Sequence, residues 1–152
     1  ILFSYHGLPE RHVDKSHPVL TLCANGDCEE GLSNDNHFCY KAQCYETTKL
    51  IANQLALSKD SYSVSFQSRL NNKWIKPYTD KVMLELVESN HKKVLVLSPA
   101  FVSDCLETSI EISERNKKVF IEHGGKEFTL VPSLNDNDMW VDAIINIINL
   151  RG

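Results

Sequence analysis

A chain of 152 residues is long enough for one well-buried domain and short for two. With 42% apolar and 24% charged residues it has the composition of a globular protein, and no apolar run reaches the roughly 18 residues of a membrane span. A net charge of −4 supplies no general basic field, which speaks against a nucleic-acid partner.

Ile1-Leu2-Phe3-Ser4-Tyr5 is a short apolar run and predicts a first strand. The chain thus opens inside an element without an initiator Met, as a piece of a longer protein would. Gly7 to Asn36 carries turn formers, charges and two cysteines and reads as a long irregular insertion, a kind of loop that usually has a function. Phe38 to Leu57 predicts a helix, with Leu50, Ile51 and Leu55 at helical spacing. Tyr62 to Phe66 reads as the second strand. Thr79 is placed to cap a second helix, with Asp80 in its first turn and Val82, Met83, Leu86 and Val87 as its apolar stripe, ending at Asn90 and His91.

Val94 to Leu97 is continuously apolar, as in a strand buried on both faces, and Pro99 stops it. A third helix is expected from Asp104 to about Phe120, and a turn at Gly124-Gly125. Phe128 to Val131 is the expected fourth strand. A last helix carries Trp140, Val141, Ile144, Ile145 and Ile148 along one side. The alternation of strand and helix predicts an α/β domain of Rossmann-like, three-layer form: a four-stranded parallel sheet flanked by helices. It spans residues 1–152, with a cysteine-rich insertion at about 20–45.

In open parallel sheets, ligands bind beyond the carboxyl ends of the strands. His6, Gly7, Leu8, Pro9 and Glu10 follow the first strand, and Gln67, Ser68 and Arg69 the second. Pro99, Ala100, Phe101, Asp104, Cys105 and Glu107 follow the third; Ser133, Leu134 and Asn135 follow the fourth. An imidazole just past an apolar strand can ligate a metal or accept a proton near neutral pH, although a lone His more often caps or packs. Glu107 near a helix start, and Glu111 four residues on, share one face. As a pair they can pass a cation or proton; in isolation such pairs are usually a solvated stripe. No Gly-rich phosphate loop follows the first strand, so a nucleotide-binding reading has little support.

Cys23, Cys28, Cys39 and Cys44 form the pattern C-x4-C-x10-C-x4-C. Four thiols in this span suit a [2Fe–2S] cluster or a structural zinc ion, and a disulfide pair is a third reading disfavoured in a reducing compartment. His17 and His37 are substitute donors. Cys105 lies outside the pattern.

The segment Phe3-Ser4-Tyr5-His6-Gly7-Leu8-Pro9-Glu10-Arg11 resembles the histidine motif of ferrochelatases. Ser65-Phe66-Gln67-Ser68-Arg69, Trp74 to Asp80, Pro99 to Thr108 and Ser133-Leu134-Asn135 resemble that family's further motifs, in family order and over nearly the whole chain. The resemblance is to the C-terminal half of such enzymes, which insert Fe2+ into a porphyrin, protoporphyrin IX or coproporphyrin III, held in a cleft between two similar halves. It implies that His6 and Glu107 are the catalytic pair and that both handle the substrate Fe2+, with Glu111 continuing the acidic path. It implies Leu8, Pro9, Gln67, Ser68, Trp74 and Phe101 as porphyrin contacts. It implies the absent N-terminal half as partner, an inactive isolated fragment, and a cytoplasmic location with peripheral contact to the inner membrane. Arg115 stands where the family usually has another acid, and Cys105 where some members have His. A [2Fe–2S] cluster on a cysteine-rich segment after the histidine motif occurs in some bacterial members, which favours Cys23, Cys28, Cys39 and Cys44 as cluster ligands over zinc. The related sirohydrochlorin and cobalt chelatases share the fold but not the Trp74 and Asp104-to-Thr108 segments. A non-catalytic iron–sulfur or zinc module is the reading from a different class.

Overall fold

The structure is a computed structural model and describes residues 1–16 and 28–150. Strands β1 (Leu2–His6), β2 (Ser63–Gln67), β3 (Lys93–Leu97) and β4 (Glu127–Leu130) form one parallel sheet in the order β2-β1-β3-β4. The helices are α1 (Glu10–Asp14), α2 (Tyr40–Gln54), α3 (Thr79–Glu88), α4 (Lys117–Glu122) and α5 (Asp138–Asn149), with a π-helix over Glu107–Asn116 that runs directly into α4. The α/β class with a four-stranded parallel sheet is therefore as expected.

The strand order explains where a ligand would go. From β1 the chain moves outward to β2, then returns to the other side of β1 for β3. The switch point, where parallel sheets open a crevice, thus lies between the carboxyl ends of β1 and β3. The β1–β3 ladder pairs only Leu2 with Val96 and Phe3 with Leu97, so Ser4 to His6 run on past the end of β3.

Alternation along β1 sorts its side chains between two cores. Phe3 and Tyr5 pack with Val64, Phe66, Ile75 and the buried Ala42, Cys39 and Cys44 around α2. Leu2 points to the opposite face, with Val94, Val96, Met83, Val87, Ile112 and Phe120 beneath α3, the π-helix and α4. Gly125 closes that second core, because a Cβ there would collide with the Phe120 ring at 2.3 Å.

Several boundaries differ from expectation for physical reasons. A short helix, α1, occupies part of the stretch read as irregular. Thr79 does not cap α3: it is the first helical residue and is buried, and its hydroxyl is taken up by neighbouring serines. Asp104 does not open the third helix. Asn135 captures it instead, accepting from the Asp104 amide (2.9 Å) and donating to its carboxylate (2.9 Å), and helical winding starts only near Glu107. That winding is π rather than α, a rare form concentrated at functional sites that no apolar spacing announces.

The last helix departs most. It forms where expected, with Asn137 capping the Met139 amide, but among the described residues none of its side chains is buried. Met139 is 78% and Ile148 65% exposed. Leu95 on β3 and Val131 past β4 are likewise more than a third exposed, so part of the sheet's α2 face lies open beside α5.

Candidate functional site

The carboxyl edge of β1 is built by main-chain contacts that only certain residues permit. The Gly7 amide donates to the Gln67 carbonyl at 2.8 Å, and a Cβ on Gly7 would stand 2.8 Å from that oxygen and 3.2 Å from the Trp74 ring. Glycine is therefore required by close approach. Next, Ile75 donates to Leu8 and Glu10 donates to Lys73, each at 2.9 Å. These bonds fold the Trp74 segment back over the histidine motif, so two motifs far apart in sequence form one wall.

His6 ends β1 with its ring between two aromatic walls. The Trp74 ring centroid is 6.3 Å away and that of Phe101 6.2 Å. Its Nδ1 lies 2.6 Å from the Gly7 carbonyl oxygen, which can only accept, so Nδ1 carries the proton and donates. In the neutral ring the lone pair is then on Nε2. The backbone of His6 is held as well, since the Tyr40 hydroxyl donates to its carbonyl at 2.8 Å.

Glu107 stands at the start of the π-helix. Its carboxyl is held below the ordinary range, first by the Cys105 thiol and its own main-chain amide, then by the nearby His6; slight loss of solvation opposes this. At neutral pH it is a carboxylate within electrostatic reach of the imidazole. Glu111 faces the same groove, of about 420 Å³, which Glu107, Glu111 and Arg115 line together with Ser68 and Arg69. Both Glu111 oxygens accept from Ser68, one from its amide (2.7 Å) and one from its hydroxyl (2.5 Å). Ser68 sits at φ +63°, a left-handed conformation uncommon for serine, and the doubly bonded carboxylate offsets that strain. At the groove's rim, the Arg69 guanidinium is bonded to Asp80 at 2.7 Å and rests 4.4 Å over the Tyr78 ring.

The structure thus brings His6, Trp74, Phe101 and Glu107 to one edge, with Leu8 and Pro9 beside Trp74. Gln67 is placed differently from an exposed contact. It is 2% exposed, and its amide accepts from Ser4 and donates weakly to the Glu107 carbonyl.

Sequence reasoning missed the buried hydroxyls behind this amide. Because the Gln67 carbonyl oxygen can only accept, Ser4 must donate to it, and the hydrogens then run one way. Ser65 donates to Thr79 (2.9 Å), Thr79 to Ser4 (3.0 Å) and Ser4 to Gln67 (2.7 Å). The signal was present: Ser4 and Ser65 interrupt apolar strands at inward positions. Tyr40 and Asn135 were missed as supports too, and their contacts are long-range ones that no spacing predicts.

In the cysteine segment, Cys23 and the substitute donor His17 lie outside the described residues. Cys28, Cys39 and Cys44 are buried. The Cys28 and Cys39 sulfurs are 3.7 Å apart, far beyond the roughly 2.05 Å of a disulfide. That separation matches the edge of about 3.8 Å expected for two thiolates at ~2.3 Å from one tetrahedral metal. Among the described residues no group of three or more candidate ligands converges on one point. Burial pushes the Cys44 thiol up to about 12, against relief from a hydrogen bond with Tyr40. His37 turns its Nδ1 to the Asn34 carbonyl instead.

A parallel sheet with its switch-point edge lined by an imidazole, a carboxylate and two aromatic walls defines a chelatase-like α/β domain. The family model described as Ferrochelatase matches residues 1–151, and the chain belongs to the ferrochelatase family. It is 48% identical over 150 residues to the ferrochelatase of Stutzerimonas stutzeri strain A1501, covering 97% of this chain and 44% of that protein. Against those of Coxiella burnetii strain Dugway 5J108-111 and Legionella pneumophila strain Corby the identities are 49% over 144 residues and 46% over 150. These cover 94% and 98% of this chain, but 41% and 44% of the relatives. The chain spans less than half the length of the curated relatives it matches.

Proposed function

We propose that this chain is the metalating half of a ferrochelatase, inserting Fe2+ into protoporphyrin IX or coproporphyrin III, with His6 and Glu107 as the working pair. One observation carries the proposal: a histidine whose Nε2 holds the lone pair, within electrostatic reach of the Glu107 carboxylate and between two aromatic rings at the sheet's switch point.

The chemistry follows from these groups. Insertion exchanges two pyrrole N–H protons for one divalent cation. Nε2 accepts one proton as the pyrrole N–H bonds break, and the Glu107 carboxylate takes the second. Trp74 and Phe101 give a flat macrocycle apolar surfaces on either side of the imidazole, with Leu8 and Pro9 extending one of them. Gln67 acts from behind, by fixing the start of the π-helix. Glu111 and Ser68 form the path by which Fe2+ reaches Glu107. Each Glu111 oxygen, though bonded to Ser68, retains a second acceptor direction.

The thiol donor set and the Cys28–Cys39 spacing fit a metal–sulfur centre, which we assign as a [2Fe–2S] cluster on Cys23, Cys28, Cys39 and Cys44. Bound there, it would cross-link the segment around α2. The proposed compartment is the cytoplasm, a reducing setting in which thiols stay available to a metal. Among the described residues no helix is long and apolar enough to cross a membrane, and membrane contact in this reading is peripheral. The partner of this half is the rest of a family-length polypeptide, a reading supported by the exposed apolar side chains of α5 and of the sheet beside it.

The test is an anaerobic assay of the full-length protein with Fe2+ and each porphyrin. Expected is metalloporphyrin formation with at least one; none with either overturns the reading. Metal analysis of the same preparation should return iron with acid-labile sulfide, and one zinc without sulfide would replace the cluster by structural zinc.

A further inference from the structure

Tyr40 connects two regions that the proposed function leaves separate. It is the first residue of α2, between Cys39 and Cys44 in sequence, and its hydroxyl donates to the His6 carbonyl across 34 residues at 2.8 Å. The Cys44 thiol is its other hydrogen-bond neighbour. The contact is therefore made from the start of the helix that Cys39 precedes and that carries Cys44, two of the segment's buried cysteines.

A second tie joins the same two elements without reaching the site. The hydroxyls of Tyr5 and Thr48 meet at 2.8 Å in the core, again linking β1 to α2. With the packing of Ala42 and Cys44, this tie holds α2 on the sheet without touching the site. What Tyr40 adds is the orientation of one peptide, whose carbonyl belongs to His6 and whose neighbour, the Gly7 carbonyl, receives the His6 Nδ1 proton. Tilting the His6 peptide alters where the imidazole points, and geometric errors of about 1 Å at a reacting group can cost on the order of 100-fold in rate.

We propose that Tyr40 is a positioning residue for His6, through which the cysteine segment sets the geometry of the metalation site. This rests on the proposed role of His6. Tyr40 itself touches neither porphyrin nor iron, so its loss should reduce turnover and leave porphyrin binding intact.

The test uses full-length protein, four single variants and one double variant. His6→Ala checks the underlying reading and should abolish iron insertion; if it does not, that reading fails whatever Tyr40 does. With His6→Ala inactive, Tyr40→Phe should lower kcat about 10-fold with porphyrin KM unchanged within about twofold, and should displace the pH profile of kcat/KM. Tyr5→Phe removes the other tie and should leave kcat and the profile near wild type. Equal effects of Tyr40→Phe and Tyr5→Phe, or a wild-type Tyr40→Phe, would overturn the proposal. Coupling to the segment is read by Cys44→Ser. The Tyr40→Phe/Cys44→Ser double variant should be no slower than the slower single variant, whereas multiplicative losses would break the link. If Cys44→Ser does not fold, the comparison of the two tyrosines still decides.

Discussion

Strand β1 and helix α5 are both apolar stretches, and the fold treats them oppositely. Leu2, Phe3, Ser4 and Tyr5 are all buried, while no side chain of α5 is, although α5 carries four isoleucines. An apolar stripe says that a face will be covered, not that its own domain covers it. In β1 the cover is local, supplied by α2 on one face and by α3 with the π-helix on the other. For α5 the proposed cover is the remainder of a family-length polypeptide. The same contrast separates two parts of the sheet: the main chain of Gly7, Leu8 and Glu10 beyond His6 is bonded within this chain, whereas Leu95 and Val131 are more than a third exposed.

This contrast can be broken by mutation. Phe120→Ala in the core beneath α4 should cost about 3–5 kcal/mol, as deletion of a buried aromatic usually does, read by denaturant unfolding of this chain. A value near zero would mean that the second core is not formed.

A smaller effect, in pH rather than in total stability, is expected at the Asn135 clamp. Asn135 and Ser133 hold the Asp104 carboxyl below its ordinary value of 3.8. A depressed carboxyl stabilises the fold above its unfolded value, and that contribution fades as pH falls through the lower folded value. Asn135→Ala should therefore raise the Asp104 titration toward 3.8, followed by carboxyl NMR; an unmoved titration would remove the clamp from the account.

Ile148→Ser on α5 should change the stability of this chain least, within about 0.5 kcal/mol. In the full-length protein the same change should be destabilising by more. Equal and negligible effects in both would break the proposed covering of α5.

The sheet, its parallel order and the edge bearing His6 were legible because strand alternation and apolar runs are local signals. So were Trp74, Phe101 and Glu107, which the motif resemblance supplied. What was not legible depends on long-range competition. Thr79 looked like a cap, but a buried serine pair outbid the helix end for its hydroxyl. Asp104 looked like a helix start, but Asn135 reached it first from 31 residues away. The π-winding over Glu107–Asn116 has no apolar period of its own, and Tyr40 meets His6 only once α2 has docked.

The central claim is that His6 and Glu107 act as one unit at the switch point. It is tested most directly by a cycle of His6→Ala, Glu107→Gln and the double variant in full-length protein, with iron insertion measured anaerobically. Each single variant should lose at least about 100-fold in kcat, and the double variant should be no slower than the slower single. Near-normal turnover in either single variant, or losses that multiply, would contradict it.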